Sequence, residues 1–210
     1  MDREAGNKSF PIWLLGDSNP VQWQDKLYGP FDARHPIRHN IWTSVLEVIQ
    51  DRVYRERRLR VNSNEIYIRN AVDESKIKPS GTTEAWSSSL NAEILRLAQL
   101  LEENQPKFLF SFGAFAYEFG RRALAKKPPK KYVHWGATKL GDEFRLNVGN
   151  FNPEEINLIP LLHRIVAGGK FLESQDYFCG LQGANYFDYV GEKIAALFLK
   201  FQDVLPIWIE

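Results

Sequence analysis

Cysteine, methionine and charge imbalance are all scarce in this chain. A single cysteine, Cys179, and one methionine stand among 210 residues. One thiol cannot form an internal disulfide, hold an iron–sulfur cluster on four thiolates or build a cysteine-based zinc site. It fits a reducing compartment, and a cytoplasmic location is expected. There are four histidines, none at a two-histidine-plus-carboxylate spacing, so no metal is expected. The formal net charge is +1, so only a local patch can favour nucleic acid. No apolar run reaches the about 18 residues that span a membrane. Residues 1–10 lack the apolar stretch of a signal peptide. No internal repeat is visible.

Core-forming material is present in ordinary amount. Hydrophobic residues make up 44% and charged residues 25% of the chain, with six Trp and fourteen Phe. That composition and length predict a globular domain spanning 1–210.

Hydrophobic periodicity orders the elements. An apolar run at 11–15 reads as a strand that stops at Gly16. "NIWTSVLEVIQDRVYRERR" reads as a helix, its apolar stripe carried by Ile41, Val45, Leu46, Val48 and Ile49. "EIYIRNAV" alternates and is β-branched, predicting a strand near 65–69 that ends at Asn70. Residues 73–88 are polar, with Pro79 and Gly81, and read as a surface insertion. "NAEILRLAQLLEENQPK" is a helix, "KFLFSFG" a strand ending at Gly113, and "AFAYEFGRRALAKK" a helix that starts directly from it. A basic, proline-containing loop follows, with a short strand expected near 143–147. "INLIPLLH" is a fourth strand ending at His163, "RIVAGGKF" a loop, and "NYFDYVGEKIAALFLKF" a closing helix. Alternating strands and helices predict a three-layer α/β/α fold with a mostly parallel central sheet. Parallel strands bring Asp17, Asn70 and His163 to one edge of the sheet, where such folds hold their ligands.

Two chemistries compete for "GDSNP". "GDS" after a strand resembles the opening block of the GDSL, or SGNH, hydrolases, with Ser18 as nucleophile. That family's histidine sits three residues after an aspartate, and here Pro160 stands three before His163. Its Gly-x-Asn-Asp block is also missing. The basic runs "RVYRERRLR" and "RRALAKKPPKK" read as solvated faces that can also touch phosphates. His35 and His39, at a loop-to-helix start, read as structural or phosphate-facing.

Taken together, "GDSNP", "YGPFDARHP", "IYIRNAVDE", "FSFGAFAYEF" and "LLHRI", in that order over roughly 11–200, resemble the uracil-DNA glycosylase superfamily. The resemblance implies a uracil-DNA glycosylase-like fold and hydrolysis of the bond between uracil, or a related damaged base, and deoxyribose. It implies no cofactor, DNA as partner and a monomer. The water would be held by Asp17 or by Asn19, the motif carrying one residue more than usual. Phe31 would stack on the extruded base, Asn70 would read its edge and His163 would face its O2. The loop that enters the duplex would be formed by Arg164, Ile165, Gly168, Gly169 and Lys170. Here His163 is followed by Arg164 where the family has proline. The single cysteine excludes the iron–sulfur branch. A binding protein on the same fold that has lost the chemistry is a third reading.

These residue types suit their roles. Glycosidic cleavage leaves positive charge on the sugar and negative charge on the base. A carboxylate answers the first and a hydrogen-bond donor the second. An asparagine amide offers a donor and an acceptor for a uracil edge.

Overall fold

The computed structural model describes residues 4–19, 42–74, 83–163 and 170–209. For residues 19, 73–74, 83–85, 87–89 and 170 the description covers the backbone alone. The strands are β1 (Glu4–Ala5), β2 (Ile12–Asn19), β3 (Arg60–Val61), β4 (Tyr67–Glu74), β5 (Phe108–Phe112), β6 (Asn157–Leu161) and β7 (Trp208–Ile209). The α-helices are α1 (Thr43–Arg57), α2 (Thr83–Asn104), α3 (Gly113–Ala123), α4 (Ala137–Gly149), α5 (Lys170–Cys179) and α6 (Tyr186–Lys200). A short 3-10 turn covers Tyr132–His134.

The central sheet has five strands in the order β1-β4-β2-β5-β6. β4, β2, β5 and β6 run parallel, and β1 lies antiparallel on β4. From β2 the chain moves outward to β4, then returns across β2 to β5 and on to β6. The winding direction therefore reverses between β2 and β5. The crevice outside the carboxyl ends of those two strands is the switch point of the sheet.

Register and alternation assign the two faces. Trp13, Tyr67 and Leu109 are level across β2, β4 and β5, and in-register parallel neighbours share a face. Arg69, Leu15, Ser111 and Pro160 are level one step further along the same face. Arg69 reaches Glu93 of α2 at 3.5 Å, so this is the face that α2 covers. On the opposite face, Phe108 meets Phe198 of α6 at 4.9 Å between ring centroids, and Phe110 meets Trp42, just before α1, at 5.4 Å. Helices thus cover both faces, and every residue of β5 is buried. Continuous apolar runs are what a parallel strand sandwiched by helices requires.

α1 buries Val45, Ile49 and Val53 at a spacing of four, the stripe that places it on the sheet. α6 begins at Asn185, whose side chain accepts from the Phe187 and Asp188 amides, satisfying two of the orphan donors of a helix start. Among the described residues no helix is long and apolar enough to cross a membrane.

Several expected boundaries are corrected. Residues 143–147 are not a strand but part of α4, because Leu140 and Phe144 are buried four apart and Gly141 lies between them. A side chain at 141 would put its Cβ 2.0 Å from the Phe178 carbonyl oxygen. Glycine there lets α5 close on α4. The segment 73–88 is not all surface insertion: α2 starts at Thr83, and Trp86 and Leu90 are buried on its inner side. β4 runs through Asn70 to Glu74 instead of ending there. β2 continues past Gly16 to Asn19. β6 ends at Leu161, two residues before His163.

Candidate functional site

Four parallel strands deliver their carboxyl ends to one edge, and three of the expected polar residues stand there. Gly16 of β2 is level with Asn70 of β4. Phe112 of β5 is level with Leu161 of β6, and Leu15, just before Gly16, with Ser111, just before Phe112. Asp17 therefore stands one step beyond Asn70, at the height of Gly113, and His163 two steps past Leu161. Alternation along β2 turns Asp17 toward the α2 face and Ser18 toward the α1 and α6 face, the face of Asn70. Asp17 and Asn70 thus flank the tip of β2 from opposite sides. Gly16, beside Asn70 on the same face, contributes no side chain there. Asp17 is half-buried, and Ser18 and Asn70 are buried.

Between them α3 starts without any intervening loop. β5 ends at Phe112, and Gly113 opens the helix with φ at +82°. Only glycine adopts that angle without strain. It also has to be glycine for space, since a Cβ at 113 would stand 2.7 Å from the His163 Cβ. The sequence Phe112–Gly113 thereby brings the start of α3 against His163. Phe112, the N-cap, has no side-chain acceptor for them, so the positive end of the helix dipole faces the crevice.

His163 is held from behind as well. The Leu162 amide donates to the Tyr186 hydroxyl at 2.8 Å. Tyr186 is fully buried, and burial keeps its hydroxyl protonated far above the ordinary tyrosine range. Its own amide donates to Gln175 Oε1 of α5 at 3.1 Å. Tyr186 is a contributor that sequence reasoning missed, because a buried tyrosine in a helix reads as core.

Phe31, His35, His39, Arg164, Ile165, Gly168 and Gly169 lie outside the described residues, and Lys170 is described only as the first backbone position of α5. Among the described residues, register therefore places Asp17, Ser18 and Asn70 on neighbouring strands near the carboxyl edge, Asp17 on the opposite face from the other two, and His163 against Gly113. Among the described residues no group of three His, Cys, Asp or Glu side chains could hold a metal ion.

One expected solvated face is corrected. Glu118, on the buried side of α3, is fully buried and accepts from Arg122 Nε at 2.9 Å, Trp135 Nε1 at 2.8 Å and the Lys130 amide at 2.8 Å. Arg121 approaches the same carboxylate at 3.4 Å and is itself buried. The two arginines also donate to the Pro128 and Lys130 carbonyls at 3.2 and 2.9 Å. Arg121 stacks over Trp135 and Arg122 over Trp86. A buried charge persists only when paired and hydrogen-bonded, and this cluster meets that condition. The clue in the sequence is a glutamate on an apolar helix face, with arginines three and four residues on.

The site belongs to the class of switch-point crevices in doubly wound α/β domains. No known protein-family model matches the chain, and no curated protein matches it.

Proposed function

We propose that this protein is a DNA glycosylase on a three-layer, uracil-DNA glycosylase-type fold, hydrolysing the N-glycosidic bond of uracil or a related damaged base. The observation that carries the reading is that Asp17, Asn70 and His163 all stand at the carboxyl edge of the sheet, beside the start of α3. In this reading Asp17, or Asn19 next to Pro20, orients the attacking water and balances the positive charge that develops on the sugar. The departing base takes up negative charge. His163 and the α3 amides are donors suited to it, and they are held in place before the reaction begins. Asn70 reads the base edge with its donor and acceptor. Phe31 stacks on the extruded base, whose flipping costs a few kcal/mol.

The environment of Ser18 speaks against the esterase alternative. Ser18 is buried within the β2–β4 ladder opposite Val72, whereas a serine nucleophile needs an exposed turn.

The test is incubation with a uracil-containing oligonucleotide followed by alkaline cleavage of abasic sites. Wild type is expected to give product, Asp17→Asn to lower the rate at least about a hundredfold, and Ser18→Ala to leave it nearly unchanged. Full activity in Asp17→Asn would move the water to Asn19. Unaltered uracil excision in Asn70→Ala would refute the pocket assignment. Ester hydrolysis that disappears in Ser18→Ala would refute the glycosylase reading. Oligonucleotide binding without any product would leave the non-catalytic binding protein.

A further inference from the structure

Residues 119–141 contain seven Lys and Arg residues and no Asp or Glu. The cluster around Glu118 uses the two arginines and, through their bonds to Pro128 and Lys130, fixes the backbone of the loop. The lysines are left over. Lys126, Lys127, Lys131 and Lys139 are exposed and Lys130 is half-buried. Among the described residues none of the five forms an ion pair. Lys139 Nζ stands 3.0 Å from His134 Nδ1. His134 is held below the ordinary imidazole range by desolvation and then by the charges of Lys139 and Lys130. A row of cations on a loop whose backbone is pinned at Pro128 and Lys130 is relieved by a ligand with regularly spaced negative charge.

The row also has a direction. Lys126 follows the far end of α3, while Tyr132 packs edge-on against Phe115 in the first turn of that helix, 5.7 Å between centroids. The loop therefore climbs the length of α3 back to the carboxyl edge, where α4 begins. From 115 to the end of α3 at 123 is eight residues, about 12 Å of helix at about 1.5 Å each. One strand of B-DNA presents a phosphate about every 3.4 Å along its axis, so the row spans on the order of four phosphates. Val133 is the one large apolar side chain exposed in the loop, at 65%. A membrane-surface segment would carry an apolar face beside its cations.

We propose that the fixed lysine loop from Lys126 to Lys139 is a nucleic-acid backbone track that leads a strand to the switch-point crevice. The crevice as destination rests on the glycosylase reading; the track itself does not.

The experiment measures binding of the full chain to a fluorescent uracil-containing duplex by anisotropy, across a salt series. The variant is Lys127→Gln combined with Lys131→Gln, two exposed positions. The control is Arg55→Gln with Arg57→Gln on α1. Each phosphate contact adds about 0.9 to the slope of log affinity against log salt. Loss of two is expected to reduce the slope by about 1.8, so the gap between wild type and variant closes about twelvefold between roughly 50 and 200 mM salt. The control is expected to keep the wild-type slope. An unchanged slope in the lysine variant, or the same loss in the control, overturns the track. So does a wild type that binds phosphatidylserine vesicles but no oligonucleotide, or that binds neither. Asp17→Asn is expected to bind with the wild-type slope, so a slope that depends on the lysines, together with an absence of excision by wild type, leaves the track standing and removes only the glycosylase reading.

Discussion

Replacing Gly113 by alanine strikes the point where β5, α3 and His163 meet. Two costs arise. The first is conformational, because the backbone sits at φ +82°. A non-glycine residue in a sparsely populated region of that kind costs about 1–3 kcal/mol. Alanine also stiffens the unfolded chain, which returns about 0.4–1 kcal/mol. The second cost is steric. The new Cβ would stand 2.7 Å from the His163 Cβ, and neither atom can move without its backbone. The His163 backbone is tied one residue earlier by the Leu162 amide to Tyr186. Gly113→Ala is therefore expected to lose about 2 kcal/mol or more, a fall in Tm of at least about 4 °C for a domain of this size. The structure predicts more than a loss, because it predicts a coupling. Tyr186→Phe removes the acceptor of a buried amide, about 1–3 kcal/mol alone, and also frees residues 162–163 to retreat. Urea unfolding of the two single variants and the double is expected to give a double-variant loss at least about 0.5 kcal/mol smaller than the sum. Losses that add within about 0.3 kcal/mol would refute the claim that Tyr186 holds His163 against the start of α3.

The buried carboxylate of α3 and the acid at the sheet edge give two further expectations. Glu118→Gln keeps the shape but leaves Arg121 and Arg122 without their counter-charge, and chemical denaturation is expected to show a loss of about 3 kcal/mol; a change under about 1 kcal/mol would mean the cluster is not held by charge. Burial alone would raise the Glu4 carboxyl, but hydrogen bonds from Lys8 and Tyr67 and the charges of Lys8 and Arg69 outweigh it and set it below the ordinary 4.5. A carboxyl depressed in the folded state adds stability that is present above 4.5 and is lost as pH falls through the folded value. Glu4→Gln is accordingly expected to flatten the fall of stability below about pH 4.5, and a profile parallel to wild type would contradict this.

The strands that hold the sheet together were legible because burial on both faces leaves an unbroken apolar run. "FLF" in β5 and "NLIPL" in β6 announce themselves this way, whereas β2 runs past the expected stop at Gly16 to Asn19. α4 was not legible, since glycines at 136, 141 and 149 depress its helical signal and only the approach of the Phe178 carbonyl explains the middle one. α5 was hidden for another reason. Leu172 and Tyr177 are exposed while Gln175 is buried, which blurs the apolar stripe. The serines of "WSSSLN" disguised the first turns of α2, where Trp86 and Leu90 do the burying. β3 and β7 pair over two residues each, too short for any period. At the site, polar residues near the carboxyl edge were readable from local sequence, though β2 and β4 run on beyond Gly16 and Asn70. What holds them was not, because the Tyr186 hydroxyl serves an amide 24 residues earlier and Glu118 gathers donors from a loop up to 17 residues later.

Pro160 sits in β6, the outermost parallel strand. The Asn157 amide turns inward to the Lys107 carbonyl, so by alternation Ile159 and Leu161 also turn toward β5 while Leu158 and Pro160 turn outward. Proline has no N–H, and the outer rim of β6 is left with the Leu158 amide as its donor. A ladder needs donors at every second residue, so a strand from a neighbouring molecule is poorly templated on that side. Proline thus removes every second donor from the outer rim of β6, and molecules that meet there at high concentration find one amide and its carbonyls instead of a full ladder.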